Sequence, residues 1–183
     1  MRADILLAVI AALSTAACDR GSVSREEVLP PLAAAAAKGA PAMALTGRVV
    51  DNAKLLSTAE AKALSDKLQA LEYRTKVQFT VATTPSLGGK EVLFYSLDLA
   101  RNRGLGDKAR NDGLLLLVAP KERKARIEVG KGLERALPDD LCARIMREDI
   151  LPHFKAGDYP AGIDAGADAL IAVLDARMKS NRT

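Results

Sequence analysis

Every position from Gly113 to Ala119 is apolar, a run bounded by Asp112 on one side and Pro120 on the other. It is too short for a typical helix and suits a β-strand covered on both faces of a sheet. Pro120 to Lys124 is polar and turn-like, and Arg126 to Val129 then alternates polar with apolar residues. The pattern predicts a hairpin with a five-residue connection and a more exposed returning arm. Counting back from the turn sets Leu117 opposite Arg126, Leu115 opposite Glu128, and Asp112 near Gly130 to Gly132. A functional site is expected at this edge, where Asp112 meets the Gly-Lys-Gly-Leu-Glu segment.

The rest of the pattern builds a sheet around that hairpin. Gly47 to Asp51 reads as a short edge strand. Ser57-Thr58-Ala59-Glu60 has the form of a capping box, and Ala61, Leu64, Leu68 and Leu71 mark one face of a helix ending near Tyr73. Val77 to Thr83 alternates as a strand does, ended by Pro85 and Gly88-Gly89. Glu91 to Arg103 reads as a second helix, with Gly104 placed to close it. Strand, helix and strand in that order imply a right-handed crossover between parallel strands. Pro138 to Lys155 reads as a helix with Leu141, Ile145, Met146 and Leu151 inward, and Asp158 with Pro160 starts a last helix. These two helices can cover a face that the first two leave open. The fold class expected is a small three-layer α/β/α sandwich with a mixed sheet and a C-terminal helix pair.

The N-terminus carries a different pattern. Arg2 precedes the apolar run Ile5 to Leu13, which ends in Ser14-Thr15-Ala16-Ala17-Cys18. A run this short ending in small residues reads as an export signal over residues 1–17. Small residues before a cysteine resemble the lipobox of bacterial lipoproteins, so Cys18 is expected to carry a lipid and become the mature N-terminus. Ordinary signal cleavage near Ala17 is the alternative. Residues 18–46, with Pro30-Pro31, an alanine run and Gly39-Ala40-Pro41, read as a tether. Its end-to-end reach is roughly 30 Å. The folded domain is expected over 47–176, with a tail at 177–183.

Composition sharpens this picture in three places. Of the 183 residues, 49% are hydrophobic but only 3% aromatic, with no Trp, so the core must be aliphatic. The net charge of +4 permits contact with anionic surfaces without requiring it. With Cys18 acylated, Cys142 has no disulfide partner and reads as a small core residue among Leu141, Ile145 and Met146.

Four stretches together, GRVVDNAKLLSTAE, PSLGG, NDGLLLLVAPKERKARIEVGKGLE and LPHFKAGDYPAGIDAG, resemble the TPM domain family of exported α/β domains in order and spacing. The resemblance covers Gly47 to about Leu174. It implies the three-layer fold and, as in some members, binding of a divalent cation. A plant member looks like an acid phosphatase associated with photosystem II repair, and an animal member is a receptor accessory protein. Family members usually carry an aromatic residue where this chain has Lys131, and many carry another where it has Arg103, so this site is more cationic.

The candidate chemistry follows from those positions. Asp51 and Asp112 match acidic positions of the family motifs, and the hairpin register brings Asp112 near Glu134. Together they are the candidate ligands for Ca²⁺ or Mg²⁺, which need several oxygens. The bland readings are that Asp51 shapes the turn before the first helix, that Asp112-Gly113 is a turn pair, and that Glu134 lies at the surface beside Arg135. Phosphomonoester hydrolysis would use the cation to polarise the phosphoryl group, with Lys131 or Arg110 steadying negative charge. Against it, the chain has no Walker A loop, no Cys-x₅-Arg loop and no Gly-x-Ser-x-Gly elbow, and His153 is its only histidine. Gly130-Lys131-Gly132 lacks the third glycine of a dinucleotide loop, and no nucleotide, flavin or haem site is expected. The basic turn Lys121 to Lys124 reads as a solvated edge or a contact for anionic headgroups, and nucleic acid is not an expected partner. The reading is a lipid-tethered, cation-binding accessory module for an envelope membrane protein, with a metal-dependent acid phosphatase as the alternative.

Overall fold

The computed structural model describes residues 43, 45–102 and 104–180. The expected signal, Cys18, nearly all of the expected tether, Arg103 and residues 181–183 lie outside the described residues. Four strands run β1 (Val49–Asp51), β2 (Gln78–Thr83), β3 (Gly113–Ala119) and β4 (Lys124–Val129). They lie side by side in chain order, the first three parallel and β4 antiparallel to β3. The hairpin register pairs Leu117 with Arg126 and Leu115 with Glu128, as the sequence pattern requires.

The β3 run is apolar throughout because it faces a core on each side. Leu114, Leu116 and Val118 join Phe79 and Val81 under one set of helices, whereas Leu115, Leu117 and Ala119 join Ala82 on the opposite face. All seven β3 residues are buried. Burying each such leucine contributes roughly 1.5–3 kcal/mol, so β3 is the best-anchored strand.

Helix α1 (Thr58–Thr75) begins at the capping box, with Ser57 accepting from the Glu60 amide and Glu60 accepting from the Ser57 amide. It ends where Lys76 takes a left-handed conformation and donates to the Glu72 carbonyl. Its Leu64, Leu68 and Leu71 pack on the Phe79–Leu116 face. Helix α2 (Val92–Asn102) lies on the other face through Tyr95 and Leu99. Since β1, β2 and β3 are neighbours in chain order, helices on opposite faces make the two crossovers of opposite hand. One of them is therefore left-handed, against the usual preference that set the sequence expectation. The consequence is positional: α2 ends beneath the sheet rim where β3 begins and β4 ends.

The segment predicted as one helix from Pro138 to Lys155 is helical but changes winding. It comprises α3 (Asp139–Ile145), a π-helical stretch (Met146–Ile150) and α4 (Leu151–Lys155). Pro152 supplies no amide proton, and the preceding Leu151 amide instead reaches back to Met146. Helix α5 (Tyr159–Ser180) continues past residue 176, where the tail was expected. The C-terminal helices share a face with α1, leaving α2 as the cover of the opposite face among the described residues.

Candidate functional site

The three candidate carboxylates occupy two different rims of the sheet. Asp51 closes β1 and registers with Thr83, which registers with Val118 near the far end of β3. Asp112 immediately precedes β3 at Gly113. Six residues of strand separate these levels, roughly 20 Å at the rise of a β-strand. Asp51 therefore cannot share an ion with Asp112, and the three-carboxylate set does not form. Among the described residues, no three His, Cys, Asp or Glu side chains gather where they could hold a metal ion.

Each aspartate instead organises a loop. Asp51 accepts from the Leu55 amide at 3.0 Å, from the Leu56 amide at 2.8 Å and from the Thr83 hydroxyl. It therefore folds the turn leading into α1. Asp112 is buried at 6% exposure and accepts from the Asp107 amide at 2.8 Å and from Arg110 Nε at 2.6 Å. Arg110 also lies 3.5 Å from Asp107, whose other carboxylate oxygen accepts from the Ala109 and Arg110 amides. Those amides hold the Asp107 carboxyl below its usual range, that of Arg110 contributing most. A guanidinium this close to Asp112 opposes a second cation there. The residues do not fit a resident Ca²⁺ or Mg²⁺ ion, and Arg110 is a lock on the loop and not a free phosphate contact.

The sequence did bring Asp112 and the Gly-Lys-Gly-Leu-Glu segment together. The Gly130 amide donates to the Gly113 carbonyl at 2.8 Å and the Gly132 amide to the Asn111 carbonyl at 3.0 Å. The glycines are there for closeness. A Cβ on Gly132 would overlap the Arg110 carbonyl oxygen, and one on Gly130 the Asn111 carbonyl oxygen. Following Gly130, a short 3₁₀ turn (Lys131–Leu133) with Gly132 at its centre drops Leu133 into the core and leaves Lys131 and Glu134 exposed.

Between this locked backbone and the end of α2 lies a groove of about 430 Å³. Leu97 and Leu105 supply apolar wall, and Arg101, Lys108 and Lys131 stand around it with Glu134. None of these four charges has an ion-pair partner among the described residues; Asp107 and Glu128 also line the groove but are paired with Arg110 and Arg126, so its unpaired charges are three cations and one carboxylate. The groove favours an anionic occupant.

Two polar links escaped the sequence reading. Ser96, fully buried on α2, donates to Glu128 at 3.0 Å, and Arg126 donates to the same oxygen at 2.8 Å. The pairing of Glu128 with Leu115 already placed it on the face that α2 covers. Glu122, read as part of a solvated turn, accepts from the Ser86 hydroxyl at 2.7 Å and the Leu87 amide at 3.0 Å. No short-range signal announces that contact. The Ser86 hydrogen bond, aided by the Leu87 amide, holds the Glu122 carboxyl below its ordinary value of 4.5. A depressed folded-state pKa contributes stability that is present above the unfolded value and lost as pH falls through the folded one. The melting difference between the parent and Glu122→Gln should therefore shrink as pH is lowered from about 6 to about 3. A difference that grows on acidification would contradict the sign.

Comparison with known proteins agrees with this architecture. No curated protein matches the chain. The N-terminal domain of a protein from P. gingivalis, solved by NMR, is 39% identical with a TM-score of 0.69, covering 73% of this chain and 85% of that one. The N-terminal domain of cg2496 from Corynebacterium glutamicum is 15% identical with a TM-score of 0.57, covering 73% of this chain and 82% of that one. BA42 from the psychrophilic bacterium Bizionia argentinensis is 23% identical with a TM-score of 0.57, covering 65% and 81%. The last two likenesses are of fold. The sequence pattern of the TPM domain runs over residues 49–173, from the first strand into α5, and the chain belongs to that family.

Proposed function

We propose that this TPM domain is exported, held at a membrane by a lipid on Cys18, and acts there as a non-catalytic accessory module. Its groove takes an acidic segment of an envelope membrane protein. The observation that carries this reading is the division of charge at the rim. Asp112 and Asp107 are spent on holding the loop, whereas Arg101, Lys108 and Lys131 have no ion-pair partner among the described residues and stand around an open groove. Binding needs such cations. Turnover needs in addition a positioned nucleophile or base; of the carboxylates lining the groove, Asp107 and Glu128 are engaged by Arg110 and Arg126, and Glu134 is exposed. His153 sits on α4 outside that lining. Burial pushes the Cys142 thiol up to about 11, which keeps it protonated and inert.

The second reading, a metal-dependent acid phosphatase, draws on the same free cations, which would steady a phosphoryl group. No step is routed through a resident ion, because Asp51, Asp112 and Glu134 do not fit one. Two substitutions test the preferred reading. Cys18→Ser should move the protein from the membrane fraction to the soluble one, and unchanged retention with an unchanged mature N-terminus would contradict the anchor. Lys108→Glu with Lys131→Glu should reduce crosslinking to envelope proteins about tenfold, the scale of 1.4 kcal/mol. Crosslinking indifferent to that charge reversal would contradict the groove.

A further inference from the structure

At the opposite rim, the turn between β3 and β4 faces α4 and the start of α5 across a cleft of about 560 Å³. Its interior is apolar, built from Val118, Ala125, Leu151, Phe154 and Tyr159. The Phe154 and Tyr159 rings meet at 5.0 Å between centroids, inclined by 40°, and make one wall. Gly162 lies so close beneath Phe154 that any side chain there would displace the ring. The wall is thus held in place by packing.

The mouth carries the opposite character. Arg123, Lys124 and Lys155 line it. Lys124 is bound to Glu91 at 3.0 Å, but Arg123 and Lys155 have no ion-pair partner among the described residues. The acid of the turn, Glu122, is drawn aside by Ser86 and Leu87 and neutralises neither. Charge is thereby sorted: cations at the opening, hydrocarbon and aromatic surface within.

We propose that this cleft binds an anionic phospholipid, its phosphodiester on Arg123 and Lys155 and its glycerol and first acyl methylenes against Phe154, Tyr159 and Leu151. A ligand charged at one end and apolar at the other matches the sorting, and an Arg guanidinium suits a phosphate through paired hydrogen bonds. Apolar burial supplies affinity, while the cations select against neutral and zwitterionic lipids. The site lies at the other rim from the groove and needs neither the accessory role nor the lipid on Cys18.

The test uses the full chain carrying Cys18→Ser, so that no attached lipid competes, with backbone amide resonances followed by NMR. Monomeric dihexanoyl phosphatidylglycerol should shift the amides of Ala125, Phe154, Lys155 and Tyr159 saturably. Dihexanoyl phosphatidylcholine, and glycerol 3-phosphate without acyl chains, should each bind about tenfold more weakly or worse. Arg123→Glu with Lys155→Glu should abolish the difference between the two lipids while leaving the melting temperature within about 2 °C. Equal responses to both lipids, shifts centred elsewhere, or glycerol 3-phosphate binding as well as the lipid would overturn the proposal. So would an acidic peptide ending in phenylalanine that binds this cleft more tightly than the lipid.

Discussion

Gly132→Ala should lower the melting temperature by about 10 °C, whereas Lys131→Ala, one residue earlier, should leave it within about 2 °C. The asymmetry comes from what surrounds each position. Gly132 does not take a positive φ, so the substitution introduces no backbone strain. The obstacle is the Arg110 carbonyl oxygen, in backbone tied down by the Asn111 amide on the Asp107 carbonyl and by the Asp107 amide on the Asp112 carboxylate. Relief requires the 104–112 loop to move as a unit, at a cost of about 3 kcal/mol or more. Lys131 is exposed and has no ion-pair partner among the described residues, so its side chain is not needed to hold the rim. Thermal denaturation followed by circular dichroism measures both. Similar melting temperatures for Gly132→Ala and the parent would mean that the rim is not packed backbone against backbone.

Asp112→Ala is expected to cost about 2–3 kcal/mol, and to cost the same in excess Ca²⁺ as in chelator. Removing the carboxylate strands the part-buried Asp107 amide, whereas the exposed Arg110 guanidinium keeps water and Asp107 as partners. Asp112→Asn keeps an acceptor for the amide but offers the guanidinium a neutral group, and should fall between the two. If Asp112 were an ion ligand, the parent would gain stability from Ca²⁺ by mass action and the variants would not. Urea unfolding in both conditions separates the two roles. A Ca²⁺-dependent gain in the parent that disappears in Asp112→Asn would restore the aspartate as a ligand.

Much of this molecule is written in local pattern, and its misses have physical causes. The hairpin register was legible because an unbroken apolar run, a polar turn and an alternating arm admit one pairing that buries both faces of β3. That register alone brings Asp112 to Gly130 and Gly132. The reading of Asp51 failed on direction. A residue that ends a parallel strand and a residue that begins its neighbour-but-one stand at opposite rims, whatever their chemistry. The opposite hands of the two crossovers were not legible, because apolar faces on α1 and α2 do not say which side of the sheet each helix takes. Nor was the π-helical stretch before Pro152, since the inward residues keep a helical spacing through it. Glu122 reaches the Ser86 loop across many residues of sequence, a tertiary contact with no local mark.

Rim carboxylates that hold loops while groove cations bind leave the domain without turnover, and hydrolysis of p-nitrophenyl phosphate by the purified full chain tests this most directly. With Mg²⁺ or Ca²⁺ supplied, at about pH 5 and about pH 7, near the working range of a carboxylate or a histidine, release of nitrophenolate should not exceed the protein-free rate. Metal-dependent turnover that is lost in a still-folded Asp112→Asn protein would contradict the account.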